Sequence, residues 1–343
     1  MLHNASAFHI YLQGNLLTGI ETNIDPIEAV SRLSLLDLRS NLISSLPSEF
    51  FLLTSLMALY LDANRISTLP SEISLMTNLD TCGVWSSNSY LPSQFLTFAG
   101  NMLTAIPSEI AQLTHLYNWR FENNSIAEFP KVQWERLQIL QSINLSRNSL
   151  RQVPSEIGLL QSLNSLDLSS NLLIGSIPSE IGSLDDMDVG CINYSYRDGC
   201  GSETCWQIQA IDLHNNSLAG TIPSELGKLT GLTSLDLSDN QLTGTLASEL
   251  GIIQGTGMDC GDTINLSANN FSGPLPLELC PRYCKQQEKQ QQEELNSNSS
   301  GSTTFLPWYD NGTYPCEGWL LLIVDCFPKT QLNCSVCDCR AYD

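Results

Sequence analysis

The chain of 343 residues is poor in basic side chains, in histidine and in long apolar runs. Its 15 Lys and Arg stand against 36 Asp and Glu, which gives a formal net charge of -21. Nucleic-acid and anionic-membrane binders need a basic surface, so this balance argues against both as partners. The longest apolar run, Leu320–Val324, is far too short to cross a bilayer, and no direct membrane insertion is expected.

Motifs of catalysis are missing as well. The sequence has no H-E-x-x-H, G-x-S-x-G or G-x-G-x-x-G pattern, and its four histidines are scattered. The segment around Gly227 and Lys228 lacks the spacing of a phosphate-binding loop. The acidic group Asp185, Asp186 and Asp188 lacks the pattern of a calcium-binding loop. We therefore predict a protein that is not an enzyme and that has no cofactor and no metal.

A repeat fills most of the chain. Its clearest copy, Leu163–Leu173, has the frame L-x-x-L-x-L-x-x-N-x-L. The L-x-L stretch predicts a short strand whose leucines enter a core shared by stacked coils. The slot asparagine has donors and an acceptor, so we expect stacked copies to bind buried backbone groups. The alternative, a surface turn residue, fits ten copies in register less well. The ten slots are Asn15, Asn41, Asn64, Asn101, Asn124, Asn148, Asn171, Asn216, Asn240 and Asn269.

Two segments, Leu235–Gly244 and Asn216–Gly227, carry the further pattern N-x-L-x-G, followed in the second by T-I-P. This pattern resembles the plant-type leucine-rich repeat, which is known from receptor ectodomains and secreted proteins. The resemblance covers roughly residues 7–280. It implies an α/β fold, a right-handed solenoid shaped like a horseshoe with about ten repeats. The repeats from Asn41 to Asn148 depart from the family because they lack the glycine before I/L-P, and the family's paired-cysteine N-terminal cap is absent.

Most repeats continue into Pro-Ser-Glu, which we interpret as the start of a short helix on the convex side. Proline is tolerated at the first helical position. Glutamate in the first turn meets the positive end of the helix dipole. We favour this structural role over a row of carboxylates that recruits cations.

Cysteines mark the places where the repeat is interrupted. The long steps predict insertions near 80–93, 185–206 and 252–261 in a repeat domain of residues 1–280. We predict a cysteine-rich C-terminal cap over 281–343, with a mobile loop near 285–304. Disulfides are favoured over a metal cluster in the last three cysteines. The disulfide candidates are Cys191, Cys200, Cys205, Cys280, Cys284, Cys316, Cys326, Cys334, Cys337 and Cys339.

The cysteines and ten Asn-x-Ser/Thr sequons point to the secretory pathway, whereas Met1–Asn4 has no features of a leader. We expect an extracellular or cell-surface protein whose targeting segment is missing from this sequence, with a cytoplasmic protein as the alternative. The glycosylation candidates are Asn4, Asn193, Asn298 and Asn311.

Since no catalytic motif is found, the remaining functional hypothesis is a binding surface. In this fold the residues between and after the strand leucines line the concave face. The early repeats place Tyr and Arg there, residue types that are enriched at binding hot spots, and the later repeats place Asp, Ser and Asn. We predict a protein or peptide ligand on the first five repeats of a receptor-like or secreted recognition protein. The alternatives are a secreted inhibitor of a hydrolase and a structural cell-surface glycoprotein without a defined ligand. The candidate ligand-binding residues are Tyr11, Arg39, Tyr60, Asp62, Phe95, Tyr117, Arg120 and Glu122.

Overall fold

The computed structural model describes residues 8–21, 33–79, 96–184, 208–253, 262–274, 276, 320–323 and 331–333. Within them the chain forms a leucine-rich-repeat solenoid, in which each coil contributes one strand to a larger parallel sheet of eleven strands. The sheet confirms the predicted fold. Its strands are β1 (Phe8–Tyr11), β2 (Leu33–Asp37), β3 (Ala58–Tyr60), β4 (Leu96–Thr97), β5 (Asn118–Arg120), β6 (Ser142–Asn144), β7 (Ser165–Asp167), β9 (Ala210–Asp212), β11 (Ser234–Asp236), β13 (Asp262–Asn265) and β15 (Leu320–Ile323).

The strands of this sheet from β2 to β13 each contribute side chains to one core. Leu59, Trp119, Ile143 and Leu166, for example, occupy inward positions and are at most 1% exposed. One row of inward side chains belongs to each coil, so a coil reaches full burial only between two neighbours. The core therefore runs along the whole solenoid instead of closing around one centre.

The slot asparagines form a ladder along the coils. Asn148 donates from Nδ2 to the carbonyl oxygens of Leu145 in its own coil and Phe121 in the preceding coil. Its Oδ1 accepts the backbone N–H of Ile126, at 2.9 Å. The equivalent N–H to Oδ1 bond links nine successive pairs of coils, from Leu17–Asn41 to Leu242–Asn269. The prediction that these amides bind buried backbone groups is confirmed.

The residue before each slot asparagine has a left-handed backbone, with φ between 53° and 71°. Only two of the ten copies, Gly14 and Gly100, use glycine for it. The other eight place a side chain in a region that costs L-residues energy, a cost that the ladder hydrogen bonds of the next residue offset. These eight are Ser40, Ala63, Asn123, Arg147, Ser170, Asn215, Asp239 and Ala268.

The Pro-Ser-Glu segments open 3₁₀ helices. In Pro154–Leu159, Pro154 is the N-cap with φ -71° and the helix begins at Ser155, one residue later than we predicted. Five-residue segments closed by i to i+3 bonds are typical of 3₁₀ helices. The 3₁₀ helices span Ser48–Leu52, Ser71–Leu75, Ser108–Gln112, Trp134–Arg136, Ser155–Leu159, Ser179–Ser183, Ser224–Lys228 and Ser248–Ile252.

A second parallel sheet of five strands follows the slot asparagines in the later coils. It is absent from the described residues of the repeats at Asn41–Asn148, which lack the glycine before I/L-P. In the later coils that glycine adopts a positive φ, for example 82° at Gly220 and 87° at Gly244, a conformation that favours glycine. The strands are β8 (Ile174–Gly175), β10 (Ser217–Gly220), β12 (Gln241–Gly244), β14 (Asn270–Pro274) and β16 (Gln331–Asn333).

Strands β15 and β16 come from the segment that we predicted to be the cap. β15 pairs in parallel with β13, and β16 pairs with β14. Leu320–Ile323, which lies within the predicted cap, is therefore an eleventh strand of the larger sheet. The predicted disulfides, the mobile loop and nearly all of the three insertions lie outside the described residues, as do Asn4, Asn193, Asn298 and Asn311.

Candidate functional site on the concave face

The outward side chains of the larger sheet form what we call the concave face. Its first row contains the residues that the strand register places side by side, as the repeat frame predicted: Tyr11, Asp37, Tyr60, Thr97, Arg120, Asn144, Asp167, Asp212, Asp236 and Asn265. The second row lies two residues further along each coil: Gln13, Arg39, Asp62, Ala99, Glu122, Ser146, Ser169, His214, Ser238 and Ser267.

Arg39 links two coils at the N-terminal end of this face. Its Nε donates to both carboxylate oxygens of Asp37, at 3.0 and 3.1 Å. Its guanidinium carbon lies 5.0 Å from the centroid of the Tyr60 ring, within the range of a cation–π contact. The hydrogen bond with Asp37 raises the pKa of Arg39, and burial raises the pKa of Tyr60. The result is a fixed cation stacked on an aromatic ring.

Asp62 joins the second row to the next coil. Its carboxylate accepts bonds from Thr97 Oγ1 and from the backbone N–H of Ala99, both at 2.8 Å. Burial raises the pKa of Asp62 and outweighs these two hydrogen bonds, which act in the opposite direction. Asp62 therefore fixes the backbone after β4, although burial disfavours its charged carboxylate.

Arg120 and Glu122 form a third polar contact, an ion pair through Arg120 Nη2 and Glu122 Oε1. The other carboxylate oxygen, Glu122 Oε2, is buried without a hydrogen-bond partner in the described part of the chain, and so is the Tyr60 hydroxyl. A buried polar atom without a partner costs about 1–3 kcal/mol. Both orphaned groups belong to the predicted site.

The remaining predicted residues fall in different places. Tyr11 lies in the first row with 51% of its surface exposed. Tyr117 precedes β5, is half-buried and belongs to neither row. Phe95 lies outside the described residues. The structure thus places Tyr11 and Tyr60 on either side of Asp37 in the first row, with Arg39 stacked on Tyr60, and leaves Tyr117 beside the site.

Sequence reasoning missed a small apolar cluster on this face. Leu35, Ala58 and Tyr60 are each 4% exposed and form a hydrophobic cluster separate from the main core. Leu35 occupies an outward position of β2, because it lies two residues before Asp37. An apolar residue at an outward strand position was the signal available in the sequence.

The later coils carry acidic side chains in the first row. Asp167, Asp212 and Asp236 stand side by side in register on β7, β9 and β11. The Nδ1 atom of His214 lies 2.7 Å from Asp212 Oδ1. Asp236 accepts Ser238 Oγ at 2.6 Å and Asn265 Nδ2 at 3.0 Å. Ligand atoms of Asp212, His214 and Asp236 all lie within 4.8 Å of one another.

Two of these groups have shifted pKa values. Burial raises the pKa of Asp212, partly offset by its bonds from His214, and Asp167 raises it further. Burial acts to lower the pKa of His214, but the hydrogen bond and charge of Asp212, together with Asp236 and Asp167, leave that pKa raised. Asp212, His214 and Asp236 thus form a compact, partly exposed group of titratable side chains.

Comparisons with known proteins agree with the repeat architecture. The family model described as Leucine Rich Repeat matches residues 162–184, 207–229 and 231–252. The chain is 33% identical over 100 residues to an adenylate cyclase of Schizosaccharomyces pombe, which covers 29% of this chain and 6% of that protein. It is 31% identical over 109 residues to plant intracellular Ras-group-related LRR protein 8 of rice, Oryza sativa, which covers 31% of this chain and 28% of that protein. The chain spans less than a third of the length of each of these relatives.

A solved structure covers far more of the chain. The LRR ectodomain of the Arabidopsis receptor kinase HAESA, in complex with an IDA peptide hormone, is similar with a TM-score of 0.56 and 28% sequence identity. The similarity covers 80% of this chain and 39% of that one. Together with the asparagine ladder and the second sheet, these matches show a leucine-rich-repeat fold that is similar to plant receptor ectodomains. In the residues that the structure describes, no helix is long and apolar enough to cross a bilayer.

Proposed function

We propose that this protein is a non-catalytic recognition module that binds an extended peptide or protein segment along the concave face of its first five coils. The observation that carries this proposal is that Tyr11 and Tyr60 flank Asp37 in the first row, while Arg39 pairs with Asp37 and stacks on Tyr60. Arg120 follows two coils later in the same row. Tyrosine and arginine are the residue types most enriched at binding hot spots. No other part of the described concave face combines both.

The exposed groups of this cluster can bind the backbone carbonyl oxygens and the acidic side chains of a ligand. Arg39 stays 42% exposed although it is paired with Asp37, so its guanidinium, which has five N–H donors, can reach an acceptor on a ligand. Tyr11 presents an open ring for an apolar side chain. Because Arg39 is already fixed by Asp37 and Tyr60, little side-chain entropy is lost on binding.

The likeness to a receptor ectodomain in complex with a peptide hormone supports the same proposal. The two proteins share a parallel sheet of stacked coils, with strands about 4.8 Å apart, and that ectodomain binds a peptide.

The proposal is tested by selecting binders from a displayed random-peptide library on the full chain. We expect the selected peptides to lose at least tenfold in affinity for a Tyr11→Ala/Arg39→Ala/Arg120→Ala variant. Tyr60 is left intact because it is buried and its truncation would damage the fold. An Arg65→Ala/Arg151→Ala variant, whose exposed arginines lie off both rows, should bind as the wild type does. Equal binding to all three proteins would contradict the proposed site.

We further propose that the protein is exposed to the secretory pathway. Asn215 lies in a sequon, is exposed and adopts a left-handed turn beside the sheet, with its Nδ2 donating to Ser170 Oγ at 3.1 Å. Asn144 also lies in a sequon but is in the first row of the concave face. Peptide mapping of protein from its native source should find a glycan on Asn215 and none on Asn144. Unmodified asparagine at both positions would favour the cytoplasmic alternative.

A further inference from the structure

The trio on β9 and β11, consisting of Asp212, His214 and Asp236, has no role in the proposed peptide site. It lies in later coils than the Tyr11–Arg120 surface, on the same concave face. We propose that these three side chains form a binding site for a divalent transition-metal ion of the Zn²⁺ class.

The geometry is the main argument. One imidazole nitrogen and one oxygen from each of two carboxylates lie within 4.8 Å of one another. Ligand atoms around a four-coordinate Zn²⁺ with bonds of 2.0–2.2 Å are separated by about 3.4 Å. Side-chain rotations of a small amplitude therefore suffice to bring the three atoms to one ion, without any movement of β9 and β11. Water completes the coordination, because the three side chains are partly exposed.

The register explains why the three groups meet. Asp212 and Asp236 are direct neighbours on adjacent parallel strands. His214 follows Asp212 by two residues, so the pleat places it on the same face. Two carboxylates at directly opposite positions repel each other, and Asp167 adds a third negative charge on the other side of Asp212. A bound dication removes this repulsion.

The surrounding hydrogen bonds support the carboxylates from behind. Asp236 is oriented by Ser238 and Asn265, and Asp212 Oδ1 accepts the backbone N–H of His214 at 3.0 Å. Partners of this kind hold metal ligands in position. The imidazole decides the class of ion: nitrogen suits zinc, copper and nickel, whereas Ca²⁺ and Mg²⁺ favour sites made of oxygen atoms alone.

The test uses Zn²⁺ itself as the probe, on the full chain after its metals have been removed and its accessible thiols alkylated. Alkylation is needed because the sequence has 12 cysteines, and any free thiol among them would compete for zinc. Isothermal titration calorimetry at micromolar Zn²⁺ should show one site. The site should weaken at least tenfold in His214→Ala and in Asp236→Asn, and excess Mg²⁺ should not displace the ion.

Two variants serve as matched controls. His115→Ala removes an exposed histidine that lies off the concave face, and Asp239→Asn changes an exposed aspartate in the same coil as Asp236. Both should bind Zn²⁺ like the wild type. Circular dichroism of all four variants distinguishes loss of the site from loss of the fold. The proposal is overturned if the wild type takes up no Zn²⁺, or if His214→Ala and His115→Ala bind it equally. Peptide binding by the Tyr11 surface is unaffected by either result, so the two proposals fail independently.

Discussion

Gly158→Ala should lower the free energy of unfolding by about 3 kcal/mol, the upper part of the range for overpacked positions. A Cβ at Gly158 would lie 2.2 Å from the carbonyl oxygen of Glu180 and 3.0 Å from its carbonyl carbon. Both are backbone atoms of the next 3₁₀ helix, Ser179–Ser183, so no side-chain rotation relieves the contact. The two coils must separate, and the core between them loses packing. Thermal and urea unfolding measure the loss.

Gly19→Ala is the matched control, since it makes the same chemical change where a Cβ meets nothing within 4 Å. It should leave the free energy of unfolding within about 0.5 kcal/mol of the wild-type value. Gly182 and Gly227 face Glu225 and Glu249 in the same way. A Gly158→Ala protein as stable as Gly19→Ala would mean that the convex coils are not in the close contact that we describe.

Asn148→Ala should lower the free energy of unfolding by a similar amount, about 3 kcal/mol, because the orphaned Ile126 N–H costs about 1–3 kcal/mol and each other lost hydrogen bond about 1 kcal/mol. The substitution removes the partner of the Ile126 N–H and one donor to the Phe121 carbonyl. Both groups are in the interior, where water cannot replace the side chain. Asn148→Asp keeps the size of the side chain and its acceptor oxygen. It replaces Nδ2, which donates to three carbonyl oxygens, with a carboxylate oxygen that those carbonyl oxygens repel. We expect Asn148→Asp to be no more stable than Asn148→Ala in urea unfolding.

The first coil offers a control within the same ladder. Asn15 occupies the same slot, but it is exposed and its Nδ2 bonds run to Leu12 and Gln13 of its own coil. Asn15→Ala should therefore cost less than about 1 kcal/mol. If Asn15→Ala and Asn148→Ala were equally destabilising, the value of the slot would lie in the local turn and not in the link between coils.

The repeat frame predicted the rows of the concave face because the spacing of the leucines fixes which side chains point inward and which point outward. A shift of one residue would turn every inward leucine outward, so Asp37, Tyr60 and Arg120 had to stand in register. The asparagine ladder followed from the same spacing, since only a side chain with donors and an acceptor satisfies groups from two coils. These features depend on periodicity, which a single sequence displays fully.

Other features depend on contacts that periodicity does not contain. The pairing of Arg39 with Asp37 and the stacking on Tyr60 result from rotamers of side chains in two coils. Asp212, His214 and Asp236 occupy concave-face positions that the frame predicted, but the frame does not contain the rotamers that bring the three side chains together. The second sheet needs the positive φ of glycines such as Gly220. The sequence pattern contains these glycines, but it does not show that the strands around them pair into a sheet. The repeat frame did not predict β15, because its coil lacks the slot asparagine.

The most direct test of the account is a crosslinking map with one of the selected peptides. The peptide carries a photoreactive benzophenone side chain, and the crosslinked residues of the full chain are located by mass spectrometry. We expect crosslinks in β1–β5 and in the row residues that follow them, with Tyr11 and Arg39 among the sites. Crosslinks confined to the 3₁₀ helices, or to β7–β13 alone, would contradict recognition by the first five coils.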